Sequence, residues 1–252
     1  MKNYVKLAAD WTPPMLILGL LSYPFLVTDL DMLFAGWFFV KDAGWVFNHW
    51  ALWHILYHYG NAPSILLATG GLSLFLLSFF WRQIGRYRKQ ALFAALLMII
   101  GPGLIVNLGF KENWVRPRPC QVEDFGGQMA FHRLGEAAVN SKGKSFPSGH
   151  ASAAFYLIFP FFLLRNTRPL WARTFLFAGL GYGLLMGICR MCQGAHFASD
   201  VIWAGGFVYL CGMFLYYGLG FNREHTSRST QLSEFEYHDR RDQKSFSGHL
   251  IN

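Results

Sequence analysis

Six apolar stretches run through this chain, at about Pro14–Val27, Ala62–Trp81, Ala91–Phe110, Ala151–Leu164, Trp171–Ile188 and Val201–Leu219, and Arg173 is their only charged residue. A backbone in lipid has to satisfy its own N–H and C=O groups, so each stretch is expected to be a helix. About 20 apolar residues suffice to cross the hydrocarbon layer. The pattern therefore predicts an all-α fold, a six-helix transmembrane bundle. The first and fourth stretches are short for a crossing and must borrow flanking polar residues. Composition agrees, because only 14% of the 252 residues are charged where a soluble domain carries roughly a quarter.

The short loops orient the bundle. Residues 82–90 hold Arg82, Arg86, Arg88 and Lys89, and residues 165–173 hold Arg165, Arg168 and Arg173, with no acid in either. The positive-inside bias makes both cytoplasmic, and Lys2 and Lys6 put the N-terminus on the same side. No small-residue cleavage site follows the first apolar run, which is expected to stay as an anchor. Six crossings return the C-terminus to the cytoplasm. Residues 1–221 read as one membrane domain, and 222–252, polar and mixed in charge, as a flexible cytoplasmic tail. The formal net charge of +8 fits cytoplasmic loops and lipid headgroups. Its scattered basic residues form no stripe for nucleic acid.

Between the first two stretches, Asp29–Tyr59 carries Trp37, Trp45, Trp50 and Trp53. Such aromatics favour the headgroup level, so one or two interfacial helices are expected there. They would act as a lid or access ramp for a lipid, or simply as an aromatic belt. His54 and His58 are spaced for one helix face but lack a third metal ligand. The four cysteines form no disulfide framework. Cys211 reads as a small core residue, and a Cys120–Cys192 bond on the outer side stays open.

Three polar clusters interrupt this pattern, all on the extracytoplasmic side. Pro147-Ser148-Gly149-His150 precedes the fourth stretch. A helix starting there aims unpaired N–H groups and its positive dipole end outward, a natural phosphate cradle. Ser148 would cap it or donate its hydroxyl, Gly149 would let an anion approach the backbone, and His150 would protonate a departing oxygen. Lys111 and Arg118 end the third stretch, seven residues apart; a continuous helix would align them on one face, although Pro117 and Pro119 limit that alignment. Their charges match phosphate oxygens. Arg116 beside them reads equally as an anchor or as a headgroup contact. Arg190, at the end of the fifth stretch, needs an anionic partner at the membrane boundary. His196 and Asp200, four residues apart, would meet on one helical turn, with Asp200 fixing the imidazole tautomer and leaving the other nitrogen nucleophilic.

Taken together, Lys111-x6-Arg118-Pro119, Pro147-Ser148-Gly149-His150 and Arg190-x5-His196-x3-Asp200 resemble the three signatures of the type-2 phosphatidic acid phosphatase superfamily, over Lys111–Asp200. Cys189 departs from the serine usual before the arginine. The resemblance implies hydrolysis through a phosphohistidine, with no metal and no cofactor. His196 would attack phosphorus, Asp200 would orient it and His150 would protonate the leaving group. Lys111, Arg118, Ser148, Gly149 and Arg190 would hold the phosphoryl oxygens. The residues argue the same way, since phosphoryl transfer is mostly positioning and charge stabilisation.

The expected substrate is a membrane lipid phosphate, handled on the periplasmic or exterior face of a bacterial inner membrane. Phosphatidic acid, phosphatidylglycerol phosphate, undecaprenyl diphosphate and lipid A phosphates all stay open. So do a phosphotransferase using the same site, a non-catalytic lipid-phosphate binding or transport protein, and the oligomeric state. The six stretches disfavour a vanadate-dependent haloperoxidase. The loop Cys120–Phe146 is expected to shape the headgroup pocket.

Overall fold

The computed structural model describes residues 2–136 and 143–222. The tail expected over 222–252 lies, beyond Asn222, outside the described residues. The remainder is a helical bundle: α1 (Lys2–Val27), α2 (Leu30–Gly36), α3 (Ala51–Tyr59), α4 (Ala62–Leu77), α5 (Gly85–Asn113), α6 (Gly149–Leu164), α7 (Pro169–Cys192) and α8 (Ala198–Gly218). Among the described residues, four helical stretches are long and apolar enough to cross a membrane: Ala51–Leu77, α5, α7 and α8. The α1–α2 pair, bent by 84°, makes a fifth if it is one span. The fourth stretch expected from the sequence falls on α6, an apolar helix shorter than these. Leu20, Leu66, Phe80, Phe177 and Phe214 stand exposed around the bundle. Water would penalise so large an apolar surface, whereas hydrocarbon accepts it. This is an integral membrane protein.

The Trp-rich segment holds two short helices, within the one or two expected, and a hairpin between them. It comprises α2, a hairpin of β1 (Phe39–Val40) and β2 (Gly44–Trp45), and α3, which joins α4 in one apolar stretch. Its tryptophans divide: Trp37 and Trp50 are exposed, while Trp53 is buried against Met186 and Cys189. Trp45 packs on Gly194, whose φ is +64° and whose added Cβ would fall 2.3 Å from the Trp45 ring. A side chain at 194 would therefore be excluded twice over, by backbone strain and by the ring.

The short helix α6 is the buried centre. Ala151, Ala154, Tyr156 and Ile158 are fully enclosed, and α7 and α8 pack directly on it. Gly179, Gly183 and Gly187 form a small-residue stripe down α7, and a Cβ on Gly183 would sit 2.1 Å from the Phe155 ring. Such stripes let backbones approach closely where lipid supplies no hydrophobic drive between helices.

Helix α5 is irregular. Between Ile99 and Phe110 its bonding widens to i→i+5, a rare form that gathers at functional sites. Asn107 there donates its Nδ2 hydrogen to the Pro102 carbonyl at 2.7 Å. The helix then stops at Asn113, so Lys111 and Arg118 do not share a continuous helix face; Arg118 has extended backbone. All four cysteines are free thiols, Cys120 exposed and Cys192 buried, so the bond left open between them is not made.

Candidate active site

The eight residues singled out in the sequence all lie at one end of the bundle. Lys111 occupies the last turn of α5, Arg190 the last turn of α7, and Asp200 the first turn of α8. Ser148, Gly149 and His150 open α6, and Arg118 and His196 lie in the connecting segments. They converge electrostatically: Arg190, His196, Lys111 and Arg118 all act on His150, and Arg118 and Arg190 act on Lys111. Gly149 makes the approach close. A Cβ there would lie 3.2 Å from Lys111 Nζ and 2.6 Å from Asn107 Oδ1.

The segments before α6 and α8 are laced together. Ser148 donates its backbone N–H to the Asp200 carbonyl at 3.1 Å, and its hydroxyl oxygen accepts from Ala151 N at 3.4 Å, a long cap. Ser145 donates its hydroxyl to Asp200 Oδ2 at 2.5 Å, and Phe197 N donates to the same oxygen at 2.8 Å.

His196 and Asp200 do not share a helical turn, because α8 begins only at Ala198. His196 Nδ1 instead lies 2.6 Å from the Ser145 carbonyl, while Asp200 Oδ2 is 3.8 Å away, beyond hydrogen-bond length. A carbonyl can only accept, so Nδ1 carries the proton and Nε2 keeps its lone pair. The ring is 1% exposed. Burial lowers its pKa to about 4, with Arg190 and Lys111 acting in the same direction against the opposing pull of Asp200.

Arg116, read from sequence as an anchor or headgroup contact, is neither. It is fully buried and donates to Asp200 Oδ1 at 2.7 Å, Asp31 Oδ2 at 2.8 Å, Ser199 Oγ at 2.8 Å and the His132 carbonyl at 2.9 Å. Phe197 lies 4.5 Å beneath its guanidinium. Burial opposes this charge, but Asp200 and Asp31 outweigh it and raise the pKa of Arg116. Asp31, on α2, also accepts from the backbone and hydroxyl of Ser199. Sequence reasoning missed Asp31, although an acid inside an apolar run is costly enough to signal a partner.

A second wall comes from α3. Tyr57 stacks on His150, with centroids 5.1 Å apart, and the Arg190 guanidinium lies 4.6 Å from the Tyr57 ring centre. Arg190 bonds Gln193, and its Nε is buried without a partner among the described residues. Cys189, the departure from the family signature, places its thiol on the Trp53 carbonyl at 3.4 Å. Arg118, Arg190, Tyr57, His54, His58 and Asn48 border a cleft of about 270 Å³.

Fixed cations around paired imidazoles are the equipment of phosphoryl transfer, and here an integral membrane protein carries it. The chain belongs to the PAP2 superfamily, whose family profile matches residues 90–224, and it is by class a phosphatase. It is 38% identical to a lipid A 4'-phosphatase of Francisella tularensis subsp. novicida (strain U112) over 75% of this chain and 85% of that protein. It is 30% identical to a lipid A 1-phosphatase of Rhizobium etli over 73% of this chain and 68% of that protein. A phosphatidylglycerophosphatase B of Bacillus subtilis is 31% identical over 48% of this chain and 54% of that protein. No solved structure gives a significant match.

Proposed function

We propose that this protein hydrolyses a phosphate ester on a lipid A-type glycolipid, through a phosphohistidine, at the extracytoplasmic face of the inner membrane. The observation that carries the reading is the gathering of His150, His196, Lys111, Arg118 and Arg190 at one end of the bundle, with Tyr57 stacked on His150 and under Arg190, Arg118 and Arg190 on one cleft, and Lys111 against Gly149. The substrate class is supported by the lipid A phosphatases among the relatives. It also suits the amide and imidazole side chains of Asn48, His54 and His58 beside Arg118 and Arg190, which can bond a sugar headgroup.

In this mechanism, Lys111, Arg118 and Arg190 hold the phosphoryl oxygens together with the start of α6, where Ser148 and Gly149 stand. The Nε2 lone pair of His196 forms the N–P bond as the ester P–O bond breaks. His150 gives its proton to the departing oxygen. The bound phosphate dianion offsets the surrounding cations, so that a protonated His150 is tolerated. Water then attacks the phosphohistidine, passes its proton to His150 and releases phosphate and free His196. Asp200 Oδ2 faces the imidazole from 3.8 Å while the Ser145 carbonyl orients the ring.

The test is purified protein in detergent micelles, assayed for released phosphate against lipid A, phosphatidic acid, phosphatidylglycerol phosphate and undecaprenyl diphosphate. Hydrolysis of lipid A at the highest kcat/KM supports the reading. Preference for a glycerolipid or polyprenyl diphosphate would overturn the substrate assignment. Transfer of phosphate to an acceptor lipid without free phosphate would overturn hydrolysis.

A further inference from the structure

The buried cluster under His196 sets two carboxylic acids, Asp200 and Asp31, against one guanidinium, Arg116. Asp200 is the nearest carboxylate to the ring, yet its Oδ1 is bonded to Arg116. That pair by itself is electrically neutral. The Nδ1 proton goes to the Ser145 carbonyl, a neutral group that cannot take up charge. An imidazole that forms an N–P bond while keeping its Nδ1 proton becomes a cation. A neutral Asp200–Arg116 pair would do little to stabilise it.

Asp31 changes this balance. It shares the same guanidinium, 2.8 Å from Nη2, and is 1% exposed. Ser199 ties it to the start of α8 by two hydrogen bonds. Both oxygens of Asp31 accept, Oδ1 from Ser199 N and Oδ2 from Arg116 and the Ser199 hydroxyl, the bonding of a carboxylate. With both acids ionised, two carboxylates around one guanidinium leave one uncancelled negative charge in a water-excluded site, where charge effects are far larger than in water. Asp31 lies on α2, outside residues 90–224 matched by the family profile.

We propose that Asp31 is a positioning residue of the reaction: by sharing Arg116 with Asp200, it leaves a net negative charge beneath His196 that stabilises the imidazolium formed at phosphoryl transfer. This rests on the phosphohistidine reading above. The other charged groups facing His196 are Arg190 on α7, Lys111 on α5 and His150 on α6. All three are cations or can become so, which sharpens the need for a negative charge below.

The experiment compares Asp31→Asn, Arg116→Gln and Ser199→Ala, reading single-turnover formation of the labelled enzyme adduct and the acid limb of the pH–rate profile. Asp31→Asn removes one negative charge. It should slow adduct formation roughly tenfold or more, leave KM nearly unchanged, and move the acid limb to lower pH. Arg116→Gln removes the positive charge and should move the limb to higher pH. Ser199→Ala breaks hydrogen bonds of the same cluster but keeps every charge, so its limb should stay in place. A purely structural role would scale activity with the folded fraction and move no limb. The opposite signs keep the test decisive if only one charge variant folds: an unmoved limb in whichever folds overturns the proposal. A wild-type enzyme that forms no labelled adduct would instead sink the phosphohistidine reading itself.

Discussion

His196 directs its Nδ1 at the backbone carbonyl of Ser145, 2.6 Å away, so the ring is oriented by a group that cannot titrate and that no side-chain substitution removes. Ser145→Ala therefore leaves this bond in place and deletes only the hydroxyl bond to Asp200. We expect a loss of about fivefold in kcat/KM, the worth of about one net hydrogen bond. His196→Ala should abolish phosphate release by at least about a thousandfold while the protein stays folded in detergent. Steady-state assays of both variants check the contrast, and equal losses would contradict it.

The buried neutral imidazole makes a statement about pH. Its pKa is lowered from 6.5 to about 4, so the native state binds a proton less readily than the unfolded chain does. The resulting stability is fully present above about pH 6.5 and is lost as pH falls towards 4. Thermal unfolding in detergent should show a Tm that declines across this window. Replacement of His196 by Gln should flatten the decline. A free nucleophile above pH 4 also predicts that the acid limb of kcat/KM is not set near pH 6.5 by His196.

Lys111, Arg118 and Arg190 surround the site with fixed positive charge, which can take the place of a divalent ion at the phosphoryl oxygens. Activity is expected to persist in EDTA. Arg190→Gln should lower kcat/KM by about a hundredfold or more, and added Mg²⁺ should not restore it. Phosphate release measured with chelator, and with metal titrated back, checks both outcomes; a chelator-sensitive enzyme would refute them.

Two glycines one turn-half apart on α7 should respond oppositely. Gly183 faces the Phe155 ring at 2.1 Å from an added Cβ, whereas nothing lies within 4 Å of one on Gly181. Gly183→Ala should destabilise by about 1–3 kcal/mol through overpacking. Gly181→Ala should be neutral or stabilise by up to about 1 kcal/mol through helix propensity. The Tm of each variant in the same detergent separates them.

Gly149 tests the close approach of α5 to α6. An alanine there meets Asn107 Oδ1 at 2.6 Å and Lys111 Nζ at 3.2 Å. The small displacement of Lys111 that follows should cost roughly tenfold in kcat/KM, about 1.4 kcal/mol, with Tm little altered. A fully active Gly149→Ala would argue against Lys111 as a phosphate ligand.

The sequence by itself determined the helical class and the rough course of the apolar stretches, because a lipid-embedded backbone has so few ways to satisfy its polar groups. It also determined the three polar clusters, since charge at a membrane boundary stands out against apolar surroundings and carries local spacing. Local spacing misled where helix ends mattered. Arg118 lies beyond the end of the helix that carries Lys111, and His196 precedes the helix that holds Asp200. Only the tertiary structure decided what Arg116 does, because its carboxylate partners lie 85 residues before it and 84 after it. It alone placed Tyr57 against His150 and Arg190, and gave His196 the Ser145 carbonyl. Backbone acceptors have no residue type and distant ion pairs have no period, so neither leaves a mark that a reading along the chain can find.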